Sequence, residues 1–310
     1  MRPALYFPFA SGQWQLKMGL RSLNLDTWIE IDDAFLPYLA RKRELLNDHY
    51  TDVYGALPGS EAGQQEVLAL LLEHLPTRFP THYQQQAGEI TNLITGERWQ
   101  VAEWRDRPLD LAGRLVQEDL CLMVPNASSS TNSGYTLGAA SLCFPLYWRL
   151  QEKLGLPIGQ IHAPVPGYAA NLTRPVDGLF DRLQPQSPGY RFNWSIVDTP
   201  ELFLGLHRQH QMADSITAER AGDQLWIRVE RQTLRRLPQS HAVLFTVRTY
   251  VYPLSILMQH PHAARGLQAA IAQIPPQMQL YKSINPVRAA LDGYLSQIGR
   301  TADHEASGLG

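Results

Sequence analysis

The amino-acid sequence predicts an α+β fold. The segments YRFNWSIV (190–197), QLWIRVERQTLRRL (224–237) and AVLFTVRTYVYPL (242–254) are rich in β-branched and aromatic residues and follow one another in the second half. Helical patterns gather before residue 88 and after residue 261. Strands and helices therefore do not alternate one by one, as a parallel sheet with crossover helices would require.

The elements follow in order. Residues 30–50, EIDDAFLPYLARKRELLNDHY, predict helix in pieces, with Asp32 and Asp33 near the start and Pro37 in an early turn. EAGQQEVLALLLEH (61–74) predicts an amphipathic helix that Pro76 stops. EITNLITGERWQVAEW (89–104) predicts a hairpin turning at Thr95-Gly96. LVQEDLCLMV (115–124) predicts a strand, apolar at both ends, with Gln117, Glu118 and Asp119 in its middle. After a Ser/Asn-rich loop, TLGAASLCFPLYWRLQEKL (136–154) predicts a helix kinked at Pro145 and ended by Gly155. PVDGLFDRL predicts a short helix, and the Pro-Gln-Ser turn between the last two strands predicts a hairpin. The tail, 262–298, predicts helix broken by a Pro-Pro pair, with a frayed end after it.

Composition narrows the function classes. Of 310 residues, 44% are hydrophobic and 18% charged, which supports a sizeable core and argues against wholesale disorder. A formal net charge of −2 with no clustered basic face gives no reason to expect a nucleic-acid partner. Cys121 and Cys143 are too few for a zinc, iron–sulfur or disulfide framework and read as small buried hydrophobes. The N-terminus lacks the apolar region of a signal peptide, and no run is long and apolar enough for a membrane span. The expectation is a soluble protein of a reducing cytoplasm.

The strand alternation separates two kinds of side chain. Leu225, Ile227, Val229, Arg231 and Thr233 share one face, and Trp226, Arg228, Glu230 and Gln232 the other. In the next strand Val243, Phe245, Val247 and Val251 oppose Leu244, Thr246, Arg248, Tyr250 and Tyr252. Arginines and a glutamate beside aromatic rings fit a solvated sheet face with cross-strand pairing, or the lining of a pocket; pattern alone leaves both open.

His162 lies in GQIHAPVPGYAANL (159–172), where Pro164 and Pro166 stiffen the backbone. Apolar neighbours favour a partly dehydrated, neutral imidazole, which suits a haem iron, although a lone histidine in a loop is the commoner case. His207 and His210 stand at i, i+3 without a nearby carboxylate. His260 and His262 flank Pro261 and read as a turn, and His241 starts a strand where it could bond a cofactor propionate. No dinucleotide fingerprint, phosphate loop or nucleophile elbow is present, so electrons for any redox chemistry must come from another protein.

VQEDLCLM, WRLQEKLGLPIGQIHAPVPGY, YRFNWSI, and RVERQTLRRLP with LFTVRTY, in that order, together with MGLRSLNLDTWIEID, resemble the haem subunit of haem-dependent oxidative N-demethylases of the dimethylamine mono-oxygenase type. The similarity spans about residues 6 to 260. It implies a PAS-like antiparallel sheet with flanking helices, binding haem b, and an N-terminal helical extension. The expected divisions are residues 1–88 for the extension, 89–260 for the haem-binding core and 261–310 for C-terminal helices and tail. It also implies oxidation of dimethylamine by dioxygen to methylamine and formaldehyde, with electrons passed from NADPH by partner subunits carrying flavin and an iron–sulfur centre.

Within that frame His162 is the expected iron ligand. Arg228, Arg231, Arg235, Arg248 and Arg191 form the pool for propionate pairing, since guanidinium meets carboxylate bidentately. Glu230, Glu118 and Asp119 are candidate acceptors for a protonated amine, with Tyr168, Tyr250 or Trp194 as an aromatic wall. Glu118 and Asp119 cannot both enter one pocket from a regular strand. Tyr168 and the carboxylates are candidate proton relays. Arg41, Lys42 and Arg43 form a patch that could steer an acidic electron-transfer partner, or simply a solvated helix face. A PAS-type haem sensor, or a same-fold oxygenase for another amine, is the alternative reading.

Overall fold

The computed structural model describes residues 5–125, 134–205 and 216–307. Seven strands form one antiparallel sheet in the order β1-β8-β9-β10-β6-β7-β2. They are β1 (Arg21–Ser22), β2 (Tyr54–Ala56), β6 (Asp119–Pro125), β7 (Tyr135–Ser141), β8 (Gly189–Val197), β9 (Trp226–Arg236) and β10 (Val243–Pro253). A small second sheet holds β3 (Tyr83–Gln86), β4 (Glu89–Asn92) and β5 (Arg98–Gln100), of which β4 and β5 form the expected hairpin. Mixed helices and antiparallel sheets make this an α+β fold.

Register divides the main sheet into two faces. Glu230 pairs with Asn193 on one side and Thr249 on the other, and Gln232 pairs with Arg191 and Val247. Directly paired residues point the same way, so these six share a front face with Arg228, Leu234, Val243 and Phe245. Val229 pairs with Trp194 and Tyr250, and Arg231 with Arg248. Those five, with Arg235, Leu244, Leu120 and Leu122, form the back face.

The back face is covered twice. Near β6 it packs on α1 (Phe35–Asp48), α2 (Tyr50–Val53), α3 (Glu61–Arg78) and α4 (Pro108–Leu115) through a core that includes Leu45, Leu71, Leu115, Leu122 and Leu244. Near β8 and β9 it packs on α9 (Pro261–Gln273), α10 (Pro276–Tyr281) and α11 (Arg288–Ser307), with α8 (Ala221–Gln224) and Phe9 beside them. The front face is covered by the chain between β7 and β8. A 3-10 turn (Leu150–Glu152), α5 (Ile158–Ile161), α6 (Tyr168–Asn171) and α7 (Thr173–Arg182) bring Leu150, Phe180 and Leu183 against Cys121, Leu234 and Val243.

Four local expectations are corrected. Residues 136–154 are not a helix: Tyr135–Ser141 is a sheet strand, followed by irregular chain. Its run of small residues has good helix propensity, but tertiary packing overrides it. A side chain on Gly138 would lie 2.7 Å from Val124, and one on Gly113 of α4 would lie 2.1 Å from Ser141 Oγ. The small residues thus let neighbours close tightly onto β7. Leu115 ends α4, and the next strand starts only at Asp119. Helix α3 passes Pro76 to reach Arg78: the proline removes one hydrogen bond and crowds the carbonyl of Leu72, and the helix continues for only two residues beyond it. His262 lies inside α9, which Pro261 opens.

Candidate functional site

Pro157 caps the single turn of α5 in extended conformation, and His162 ends that turn. The imidazole Nδ1 lies 2.9 Å from Ile158 O. A carbonyl only accepts, so Nδ1 carries the proton and Nε2 keeps its lone pair. Burial lowers the His162 pKa, the bond to Ile158 opposes this, and the charges of Arg191 and Lys153 reinforce it. The ring is therefore neutral at pH 7.

Gly167 turns the chain back at φ +78°, a left-handed conformation that suits glycine, and Tyr168 follows at the start of α6. Tyr168 stacks on His162 with centroids 4.8 Å apart and planes 9° from parallel. Its buried hydroxyl has no hydrogen-bond partner among the described residues, and burial pushes its pKa up to about 12.

The sheet supplies the opposing polar groups. Burial is the main cause of the His162 and Tyr168 shifts, and the Arg191 charge on the sheet lowers the pKa of both. Arg191 Nε and Thr249 Oγ1 are buried without partners among the described residues. Glu230 accepts from Gln232 Nε2 at 2.9 Å and Asn193 Nδ2 at 3.3 Å, and Arg228 Nε lies 4.0 Å from it. A neutral imidazole with one free nitrogen, a buried guanidinium nitrogen lacking an acceptor and a half-buried carboxylate thus belong to one layer. Among the described residues no three His, Cys, Asp or Glu side chains form a bare-ion site. A haem iron takes its equatorial ligands from the porphyrin and needs one such imidazole, so the residues present fit haem.

Other expected site residues lie elsewhere. Arg228 shares the front face but is spent on backbone, donating to Phe144 O at 2.6 Å and Leu202 O at 3.1 Å. Arg231 and Arg248 are on the back face, away from His162. Arg231 donates to Thr27 O at 2.6 Å and Trp28 O at 3.1 Å. Arg248 pairs with Asp32 at 2.9 Å and is sandwiched between Tyr38 and Tyr250. Arg235 covers Trp28 on the same side.

Trp194 packs edge-on against Phe9, also at the back. Tyr250 bonds Glu30 there. Glu118 is fully buried among those groups, accepting from Glu30 N at 3.0 Å, and burial raises its pKa. It therefore does not meet His162. Asp119 binds the Cys143 and Phe144 N–H groups, each at 2.8 Å, which stitches β6 to the end of β7. His241 does not start a strand: it is exposed in the β9–β10 turn at φ +58°, where its carbonyl accepts from Arg236. Nor is Lys42 part of an exposed patch, since it is buried and donates to Val116 O and Glu118 O. His207 and His210 lie outside the described residues.

Sequence reasoning passed over Asn193, Thr249 and Lys282. Asn193 follows Arg191 by two in a strand, so alternation alone assigns it to the same face. Thr249 carries the same signal one strand over. Lys282 had none, because only the tertiary fold brings the end of α10 to β8.

A family model described as haem-dependent oxidative N-demethylase, alpha subunit-like, matches residues 19–291. The chain belongs to this family. The description attaches haem dependence and oxidative N-demethylation to the family, and its members to an assembly of subunits. In this N-demethylase-family chain the match takes in the cover over the front face, the strands beneath it and, beyond residue 260, α9 and α10. Among the described residues no helix is long and apolar enough to cross a membrane.

Proposed function

We propose that this chain oxidatively demethylates a small secondary amine, converting dimethylamine to methylamine and formaldehyde with dioxygen. Electrons come from NADPH through partner subunits carrying flavin and an iron–sulfur centre, a supply that suits a cytoplasmic enzyme. The observation that carries this reading is the fixed imidazole of His162, its Nε2 free, over a sheet face bearing Arg191 and Glu230 in a haem-dependent family. A PAS-like core is supported by the strand run β8-β9-β10-β6-β7, with the covering helices inserted between β7 and β8.

His162 would hold the iron of haem b through Nε2, and Arg191 would pair with a propionate. When bound, the haem supplies dioxygen binding and activation. Glu230 accepts an N–H of the alkylammonium and orients its methyl group. Tyr168, held neutral by burial, keeps a proton on its hydroxyl beside His162 and can pass it inward. The covering helices and the apolar residues under them exclude water. One oxygen atom enters a methyl C–H bond and the other leaves as water, using the reductase electrons and solvent protons. The resulting carbinolamine breaks its C–N bond to give formaldehyde and methylamine.

The test is the visible spectrum of the purified, haem-supplied chain before and after dimethylamine. A Soret band that shifts with the amine is expected. A Soret band indifferent to amines would favour another substrate or a sensor, and folded protein with no Soret band would overturn the haem reading.

A further inference from the structure

Glu230 is held by two amides, and the accepting end of one of them is itself fixed from outside the sheet. Asn193 Nδ2 lies 3.3 Å from Glu230 Oε2, while its Oδ1 lies 3.4 Å from Lys282 Nζ. A carboxamide has one accepting and one donating end. Lysine only donates, so an ammonium at Lys282 demands the oxygen of Asn193 and turns the NH2 towards Glu230. Lys282 is in turn anchored on the outer edge of β8. Its Nζ donates to Trp194 O at 2.8 Å and lies 5.6 Å from the centre of the Trp194 ring. β1 pairs only with Gly189 and Tyr190, which leaves Trp194 O beyond the reach of that strand.

We propose that Lys282, from the C-terminal helices, is a positioning residue for the front-face carboxylate: by fixing the orientation of Asn193 it keeps Glu230 in place on that face. With Lys282 removed, the amide keeps its NH2 on Glu230 but loses the contact that fixes its oxygen, so Asn193 and the carboxylate it holds are free to shift together. Burial lowers the Lys282 pKa to about 8, with the Glu230 charge opposing and Arg191 adding to the shift, so the side chain is still an ammonium at pH 7. The link between Lys282 and amine binding rests on the reading of Glu230 given above; the orientation of Asn193 does not.

Two readouts separate these. With selective 15N-asparagine labelling, the Asn193 side-chain NH2 signal is identified by its loss in Asn193→Ala. It is expected to shift and to exchange faster with solvent in Lys282→Met, and to return in Lys282→Arg. An unchanged signal in Lys282→Met overturns the proposal, whatever the amine does. Lys282→Gln serves if the Met variant does not fold.

In the haem-loaded chain, Lys282→Met and Asn193→Ala are each expected to weaken dimethylamine about fivefold, the scale of one hydrogen bond. The double variant should be no weaker than either alone, and haem content should be unchanged. Additive losses would show two independent roles and overturn the relay through Asn193. A parent chain that ignores amines would instead remove the reading of Glu230 and leave the NMR result to decide the orientation.

Discussion

The rings of His162 and Tyr168 stack 4.8 Å apart, while the imidazole also donates to Ile158 O. One contact fixes the plane of the ring and the other its tautomer. Together they leave Nε2 as the aimed atom, held by backbone and by a neighbouring ring and not by another acid.

His162→Ala is therefore expected to abolish haem retention while the fold survives, because the side chain is only partly buried in the cover. Far-UV circular dichroism should match the haem-free parent, with stability changed by about 1 kcal/mol or less relative to it. Since burial lowers the pKa of this imidazole, haem should be retained as pH falls through the ordinary histidine range and released only below it. A variant with full haem content and an unchanged spectrum would remove the assignment.

Arginines on the two faces should behave differently. Arg191→Leu is expected to lower haem affinity and leave the melting temperature nearly unchanged, since it gives up no hydrogen bond found among the described residues. Arg248→Leu should leave Asp32 buried without its partner and destabilise the chain by about 3 to 5 kcal/mol. Comparing thermal melts with haem titrations for both separates a cofactor role from a scaffold role, and matching profiles would contradict the division.

Glu230→Gln keeps the shape and removes the charge. Dimethylamine affinity should fall about tenfold or more, the scale of a charge-assisted hydrogen bond, while haem content holds. Equal amine titrations for variant and parent would exclude this carboxylate as the acceptor.

Asp119 gives stability a pH signature. Burial raises its pKa from the ordinary 3.8 to about 6, against the pull of Lys42 and of the Cys143 and Phe144 N–H groups. Between those values the folded state keeps a proton that the unfolded chain has released, so this group's contribution is greatest below the lower value and declines as pH rises through the upper. The decline is about 3 kcal/mol, taking ~1.4 kcal/mol for each unit. Urea melts at pH 4.5 and 7 should show a smaller pH difference in Asp119→Asn than in the parent; an equal difference would assign it to other groups.

Much of this layout is legible in the sequence. Strict alternation in 225–233 and 242–252 assigned every side chain to its correct face, because a strand's period is fixed by its pleat. Alternation does not say which face of one strand matches which face of the next. Alternation alone sets Arg231 opposite Arg228 and Glu230; for Arg248 and Trp194, on the neighbouring strands, only register shows that they too lie behind the sheet. Nor could local pattern show that Glu30 and Asp32 return from far along the chain to meet Arg231 and Arg248. Residues 136–154 failed for a different reason: a Gly-Ala-Ala-Ser run looks helical until neighbouring chain requires small side chains on a strand. The stiff loop at His162 was readable from its prolines, but its tautomer rests on a carbonyl four residues back that only the turn of α5 brings into reach.

The cover over the front face is assembled from short pieces: a three-residue turn, two helices of four residues and one of ten. Helices of that length do not hold themselves in water and take their order from what they rest on. If haem lies beneath them, it is part of their hydrophobic core as well as the reaction's cofactor. Acquiring the haem is then the closing step of folding for this stretch of chain, and amide hydrogen exchange across residues 150–183 would slow on loading far more than exchange in β9 and β10.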